Sequence, residues 1–190
     1  MPDLSVHLTT PRLLLRPLEA ADAPALFAIF SDPRVMQYWN TPAWACEAVA
    51  QDFIRAECQA MQDGQRLTLA IVDRNSGELI GKCLLFSYQP ESRRAEIGFG
   101  IASSAWGRGY IQEAARELLR HGFEALGLNR VEAEIDPSNA ASGRALERLG
   151  FSKEGLLRQR WIIDGHISDS ALYGLLSEDW YSLQDRQQQR

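Results

Sequence analysis

The segment Glu96-Ile-Gly-Phe-Gly-Ile-Ala-Ser-Ser-Ala-Trp-Gly-Arg-Gly-Tyr-Ile-Gln-Glu113 constrains the fold more than any other part of the chain. It starts with the alternation of a strand, crosses a short glycine-bearing loop and enters a helix. Ala95, Ile97, Phe99 and Ile101 alternate with Glu96, Gly98 and Gly100, so one strand face is expected to pack and the other to stay open. From about Tyr110 to Leu126, Ile111, Ala114, Ala115, Leu118, Leu119, Phe123 and Leu126 make one apolar helix face, stopped by Gly127. Gly107 and Gly109 let the backbone come close to a ligand, and the N–H groups of the first helical turn suit a diphosphate. Arg108 adds a movable positive charge. The same glycines would serve a simple tight turn into a helix, so the pair alone leaves both readings open.

Two other phosphate-binding loops do not fit. Gly98-Phe-Gly100 is followed by Ile-Ala-Ser and lies inside the strand, where a dinucleotide fingerprint needs a third glycine opening a helix. Gly77 to Gly81-Lys82 has the wrong spacing for a Walker loop, and an apolar strand stands where its helix should be.

Around this segment the chain alternates strand and helix patterns. Leu13 to Leu18 reads as a first strand after Thr10-Pro11. Asp22 is placed to cap a helix ending at Asp32-Pro33, and Thr41-Pro42 to open a second one running to Asp63-Gly64. Leu67–Val72 and Leu79–Phe86 form a hairpin about Asn75-Ser76-Gly77. After the long helix come a strand at Val131–Ile135, a short helix ending at Leu149-Gly150, and two strands joined at Asp164-Gly165. The predicted order is β-α-α-β-β-β-α-β-α-β-β, an α/β (α+β) layer structure in one domain over residues 1–190, with a core of about 8–182 and a frayed polar tail at 184–190.

Composition narrows the function classes. A formal net charge of -5 speaks against a nucleic-acid surface and mildly favours cationic acceptors such as amines. Cys46, Cys58 and Cys83 have no C-x-x-C spacing, and His7, His121 and His166 form no ligand pair, so neither a disulfide framework nor a metal site is expected. No apolar run is long enough for a bilayer, and Met1-Pro2-Asp3-Leu4 does not open a signal peptide, so a cytoplasmic protein without a membrane partner is expected.

The glycine loop is similar to the signature Q/R-x-x-G-x-G/A of the GNAT acetyltransferases, which falls here on Trp106-Gly-Arg-Gly109-Tyr-Ile111. Trp106 and Ile111 depart from that pattern. Trp-Gly-x-Gly-Tyr followed by Glu-Ala instead resembles the RimJ/RimL-like branch, which acetylates protein N-termini. Further landmarks of that branch occur in order: Thr10-Pro11-Arg12-Leu13, Ala95 to Gly98, Gly127 to Val131, Asp136-Pro-Ser-Asn139, Ser142, Leu149-Gly150-Phe151 and Glu154-Gly155. The resemblance implies a GNAT fold with a central mixed, mostly antiparallel twisted sheet flanked by helices, and acetyl-CoA as cosubstrate.

It also implies residue roles. The pyrophosphate falls to Gly107, Arg108, Gly109, Tyr110, Ile111 and Gln112, with the Tyr110 side chain divided between core and ligand contact. Backbone groups of Phe99, Gly100 and Ile101 bind the pantetheine arm and polarise the acetyl carbonyl. Glu96 occupies the place of the family's carboxylate base; the plain alternative is a solvated strand carboxylate. Glu113, in the first helical turn, is read as structural. The family's usual tyrosine, seven residues beyond Asn139, is Leu146 here, so Ser142 is the substitute donor to the leaving thiolate. Asn139 divides between helix capping and coenzyme contact, with Ser138 as a rival cap.

The expected function is transfer of an acetyl group to a primary amine, a protein N-terminal α-amino group first, with a small-molecule amine (polyamine, amino acid or aminoglycoside-like) or non-catalytic, regulatory acetyl-CoA binding as the alternatives. The acceptor pocket is expected between the two early helices and the Trp161–Ser170 hairpin, with Trp39, Trp44 and Trp161 lining it or filling the core. An exposed strand or hairpin is where a homodimer would form.

Overall fold

The structure, a computed structural model, describes residues 6–188. The expectations for Met1–Leu4 and for the last two residues lie outside them. Strands β1 (Leu8–Thr9) and β2 (Leu13–Pro17) lead into helices α1 (Ala23–Phe30), α2 (Pro33–Met36) and α3 (Glu47–Gln62). Strands β3 (Leu67–Asp73), β4 (Leu79–Gln89) and β5 (Arg94–Ile101) precede α4 (Tyr110–Arg120). Then follow β6 (Arg130–Ile135), α5 (Ala140–Leu149), β7 (Ser152–Ile163), β8 (His166–Leu176) and α6 (Ser177–Gln188). One eight-stranded sheet results, in the order β1-β2-β3-β4-β5-β6-β8-β7, antiparallel except where β5 meets β6. No helix of the described residues is long and apolar enough to cross a membrane.

Side-chain alternation divides the apolar residues between the two faces. Leu69 and Ile71 of β3 join a large core with Ile97 of β5, Leu118 of α4 and Leu146 of α5, whereas Ala70 and Val72 join a second core with α1, α2 and α3. β3 is buried on both faces, and its sequence is apolar except for the buried Thr68 and for Asp73 at its end.

Several boundaries differ from the sequence expectation. The first helix does end before Asp32-Pro33, at Phe30, but Pro33 also opens the unexpected α2, where Asp32 accepts a cap bond from the Arg34 N–H. Asp22 makes no cap bond to α1; its carboxylate is taken by Arg16, at 2.7 and 2.8 Å, and by the Glu19 N–H. The helix expected from Thr41 starts only at Glu47, since the Trp44 N–H bonds the Phe30 carbonyl at 2.9 Å and its ring packs on Phe30 and Phe53. The long helix widens to a π-turn at His121–Ala125, where the Leu126 N–H reaches back to His121. The expected frayed tail is instead helical to Gln188, anchored by the buried Trp180 stacked 5.5 Å from Phe123.

Candidate active site

The ladder between β5 and β6 is three residues long: Arg94 with Arg130, Ala95 with Val131, Glu96 with Glu132. Beyond Glu96, β5 continues to Ile101 paired only with β4, and β6 continues to Ile135 paired only with β8. The two strands therefore part, and a wedge opens between them. Because they are parallel, both run toward the same end of the wedge, where β5 leads into α4 and β6 into α5. Two helix N-termini thus flank its mouth, a disposition that suits an anionic ligand held beyond the carboxyl ends of parallel strands.

Backbone direction decides which β5 residues face the wedge. The Ala102 N–H donates to Ile80 on the β4 side, so by alternation Gly100 also turns its polar groups to β4, and Phe99 and Ile101 turn theirs to the wedge. The Ile101 carbonyl accepts from Trp106 Nε1 at 3.2 Å. Gly100 is thus misplaced in the expected backbone set. Its place has another reason: a Cβ there would lie 2.7 Å from Trp39 and 2.9 Å from Phe30. The β5 face expected to be open is in this part roofed by aromatic rings.

At the mouth, Gly107 and Gly109 have φ of +73° and +75°, a region costly for any residue with a Cβ. Gly109 is the N-cap of α4, and the first intrahelical bond runs from Glu113 N–H to its carbonyl at 3.1 Å. The N–H groups of Tyr110, Ile111 and Gln112 precede that bond and have no carbonyl partner within the helix. Nothing lies within 4 Å of where a Gly107 Cβ would be, and Arg108 is exposed beside it.

The loop is held from below by Arg12. Its Nη1 donates to the Arg108 carbonyl at 2.8 Å, its Nε to Glu113 at 2.6 Å, and its guanidinium stacks 4.5 Å over the Tyr110 ring. Glu113 also accepts from Thr10 Oγ1 at 2.6 Å and from the Arg12 N–H at 2.9 Å. Burial pushes the Glu113 carboxyl up, but the bonds from Thr10 and Arg12 together outweigh it and hold it below the ordinary value. The Tyr110 side chain is buried, its hydroxyl donating to Asp73 at 2.7 Å, which leaves its backbone N–H as the group nearest a ligand. Ile111 packs against the large core.

Glu96 stands half-buried at the apex of the wedge. Burial first, then repulsion from Glu132 and Glu134, raises its carboxyl above the ordinary range, against a hydrogen bond from Ser87 that lowers it. Ser87 reaches it from a bulge in β4 just past Phe86. Glu132 differs: burial pushes it up, but Arg130 and Arg94 bind it and the net shift is downward. Of the two facing carboxylates, Glu96 is the one with raised proton affinity.

On the far side of the wedge, Asn139 caps α5, its carboxamide oxygen accepting from the Ser142 N–H at 3.1 Å, while the Ser138 N–H bonds Asp136. The Ser142 hydroxyl sits half-buried in that first turn, and Leu146 lies wholly in the core. On the α1–α3 side, a cavity of about 460 Å3 is lined by Phe30, Trp39, Trp44, Phe53 and Lys82 among others. Trp161 is not part of it; its Nε1 donates to Glu134 at 2.8 Å and Ser170 at 3.1 Å. The expected hairpin wall is therefore absent from this cavity, which the α2–α3 connection forms instead.

Sequence reading missed the roles of Thr10, Arg12 and Lys82. Nothing local to Arg12 marks a contact 96 residues away with Arg108. Lys82 did carry a signal, a charge in an otherwise apolar strand run. Among the described residues, no group of three or more His, Cys, Asp or Glu is placed to hold a metal ion.

Comparison with known proteins agrees with this geometry. The family model described as Acetyltransferase (GNAT) domain matches residues 12–152. The chain is 36% identical over 173 residues to a Bacillus licheniformis protein named Uncharacterized N-acetyltransferase p20, covering 91% of this chain and 97% of that one. It is 27% identical over 180 residues to the [Ribosomal protein uS5]-alanine N-acetyltransferase of Escherichia coli (strain K12), covering 92% and 93%. Among solved structures, a GNAT-family acetyltransferase from Bacillus anthracis superposes with a TM-score of 0.82 at 26% identity, over 91% of this chain and 99% of that one. The strands that part after three rungs, the glycine loop at their mouth and these relatives together make the chain a member of the GNAT family of acetyl-CoA-dependent N-acetyltransferases, with ribosomal-protein acetyltransferases of the RimJ type among its relatives.

Proposed function

We propose that this chain acts as one cytoplasmic domain that moves the acetyl group of acetyl-CoA to the α-amino group of a protein N-terminus. The observation that carries the reading is the wedge: an unpaired β5 edge at Phe99 and Ile101 running into the α4 N-terminus. Those features fit the coenzyme. The unpaired edge suits the amides of a pantetheine arm, and the first-turn N–H groups of Tyr110, Ile111 and Gln112, with Gly107, Gly109 and Arg108, suit its diphosphate. When bound, acetyl-CoA supplies an activated thioester.

The chain's residues supply the proton chemistry. Amine acceptors are protonated near neutral pH, with an α-amino pKa of about 8, so a base is needed to free the lone pair. Glu96 takes that proton, directly or through water, and its raised proton affinity suits the task. Ser142 donates to the departing sulfur in place of the absent tyrosine, on an α5 turn fixed by the Asn139 cap. The choice of a protein N-terminus is supported by the relative named for ribosomal protein uS5. A homodimer belongs to the same proposal, formed where the β7–β8 hairpin exposes Leu156, Ile162 and Ile167; light scattering measures it.

A thiol-release assay with acetyl-CoA tests the function across N-terminal peptides and polyamines, products being identified by mass spectrometry. Transfer to peptide α-amines above polyamines is the expected result. Preference for a polyamine overturns the N-terminal reading, and binding of acetyl-CoA without turnover on any amine overturns the catalytic one.

A further inference from the structure

Lys82 points into the cavity on the α1–α3 side of the sheet and is only 4% exposed. Its ammonium stands 4.4 Å from the centre of the Phe53 ring, 4.9 Å from Phe30 and 5.1 Å from Trp39. Among the described residues it makes no ion pair and no hydrogen bond. Glu57, the acidic group that acts on it most, is bound to Arg66 and Thr68. Ring faces attract a cation but do not replace the anion a buried ammonium needs. Burial accordingly lowers the Lys82 pKa to about 8.

The position of this cation ties it to the proposed reaction. Lys82 pairs with Gly100 on β5, and Phe30 and Trp39, which cover Gly100, are also two of the rings around the ammonium. The cavity thus lies on the opposite face of β5 from the large core, on the same face as Glu96. Its walls are otherwise mainly apolar, Met36, Trp44 and Phe53 besides the two covering rings, with the uncharged polar residues Asn40 and Thr41 on the α2–α3 connection. A mainly apolar chamber whose one charged lining residue is a buried ammonium selects by charge, since a second cation is repelled and a carboxylate meets its partner in a low dielectric.

We infer that the cavity around Lys82 is the acceptor pocket and recognises a carboxylate on an amine acceptor with an apolar body. The carboxylate belongs either to an acidic residue near a protein N-terminus or to a free amino acid. The inference rests on the acetyl-transfer reading for its amine, while the carboxylate site has its own readout. A polyamine does not fit.

Binding is tested with 3-phenylpropanoate and its neutral amide, titrated against the intact protein and followed by tryptophan fluorescence, with Trp44→Phe identifying the signal from the cavity. The expected result is at least tenfold tighter binding of the carboxylate by wild type, and equal affinities in Lys82→Met, whose melting temperature shows that it folds. Equal affinities in wild type, no binding of either probe, or a preference that survives Lys82→Met overturns the inference.

The second arm compares acetyl transfer to phenylalanine and phenylalaninamide, and to N-terminal peptides with Asp or Asn at the second position. A tenfold preference in kcat/KM lost in Lys82→Met supports the assignment, and the pair that shows it identifies the source of the carboxylate. No preference in either pair, despite transfer, overturns the pocket's role as acceptor site. Carboxylate-selective binding without transfer to any amine sinks the transfer reading and leaves the carboxylate site standing.

Discussion

Glu96 and Glu132 face each other across the last rung of the parallel ladder, and only Glu132 is neutralised by arginines. Removing one charge from the pair by protonation falls to Glu96, because Arg94 and Arg130 hold Glu132 ionised. The strands separate immediately beyond this pair, so the carboxylate with raised proton affinity stands where the wedge begins.

Glu96→Gln is expected to lower kcat about 100-fold at pH 7, in the range of a lost general base, with little change in acetyl-CoA affinity. In wild type, kcat/KM rises with pH through the Glu96 pKa, above the ordinary carboxylate range, and then levels off because the base accepts the ammonium proton. The variant needs an amine that is already neutral, so its rate climbs until about pH 8 and the deficit narrows above it. Steady-state kinetics across pH measures both. Identical profiles for the two proteins remove Glu96 from the mechanism.

Gly109→Val places a β-branched side chain at φ +75°, where left-handed backbone costs about 1–2 kcal/mol, and displaces the N–H groups at the mouth of the wedge. The dissociation constant for acetyl-CoA should rise roughly tenfold or more, a change of about 1.4 kcal/mol per decade, while kcat at saturation changes less. Calorimetry and kinetics together separate the two effects.

Glu113→Gln should cost about 1–3 kcal/mol at pH 7, because Thr10, the Arg12 N–H and the Arg12 guanidinium lose a charged acceptor. The folded-state pKa of Glu113 lies below its unfolded value, so this stability is present in full above the unfolded pKa. It is lost as pH falls through the folded one. Urea denaturation should therefore show the variant deficit at pH 7 and its shrinkage below about pH 4.

Gly100→Ala should destabilise the protein by about 1–3 kcal/mol through overpacking against Trp39 and Phe30. Thermal unfolding measures this, and an unchanged melting temperature would contradict the close aromatic cover.

What the sequence made legible was local. Alternation at Ala95–Ile101, the apolar face of α4 and the glycines at 107 and 109 are encoded within a few residues of where they act. The parting of β5 from β6 is not, because it depends on register between strands separated by a whole helix. Arg12 and Thr10 act across 101 and 103 residues on Glu113, and periodicity carries no such information. Proline signals were read in part: α1 does end ahead of Asp32-Pro33, but Pro33 also starts α2, and Pro42 started no helix because Trp44 is drawn over Phe30. Lys82 was readable as a charge in an apolar strand, but the rings around it come from α1, α3 and the α2–α3 connection, which only folding brings together.

Amide hydrogen exchange, resolved by residue with and without acetyl-CoA, tests the wedge most directly. Slower exchange at Phe99 and Ile101 and across 107–112, with β3 unchanged, is the predicted result. Binding that leaves these amides unaltered, or protects a different surface, would contradict the account.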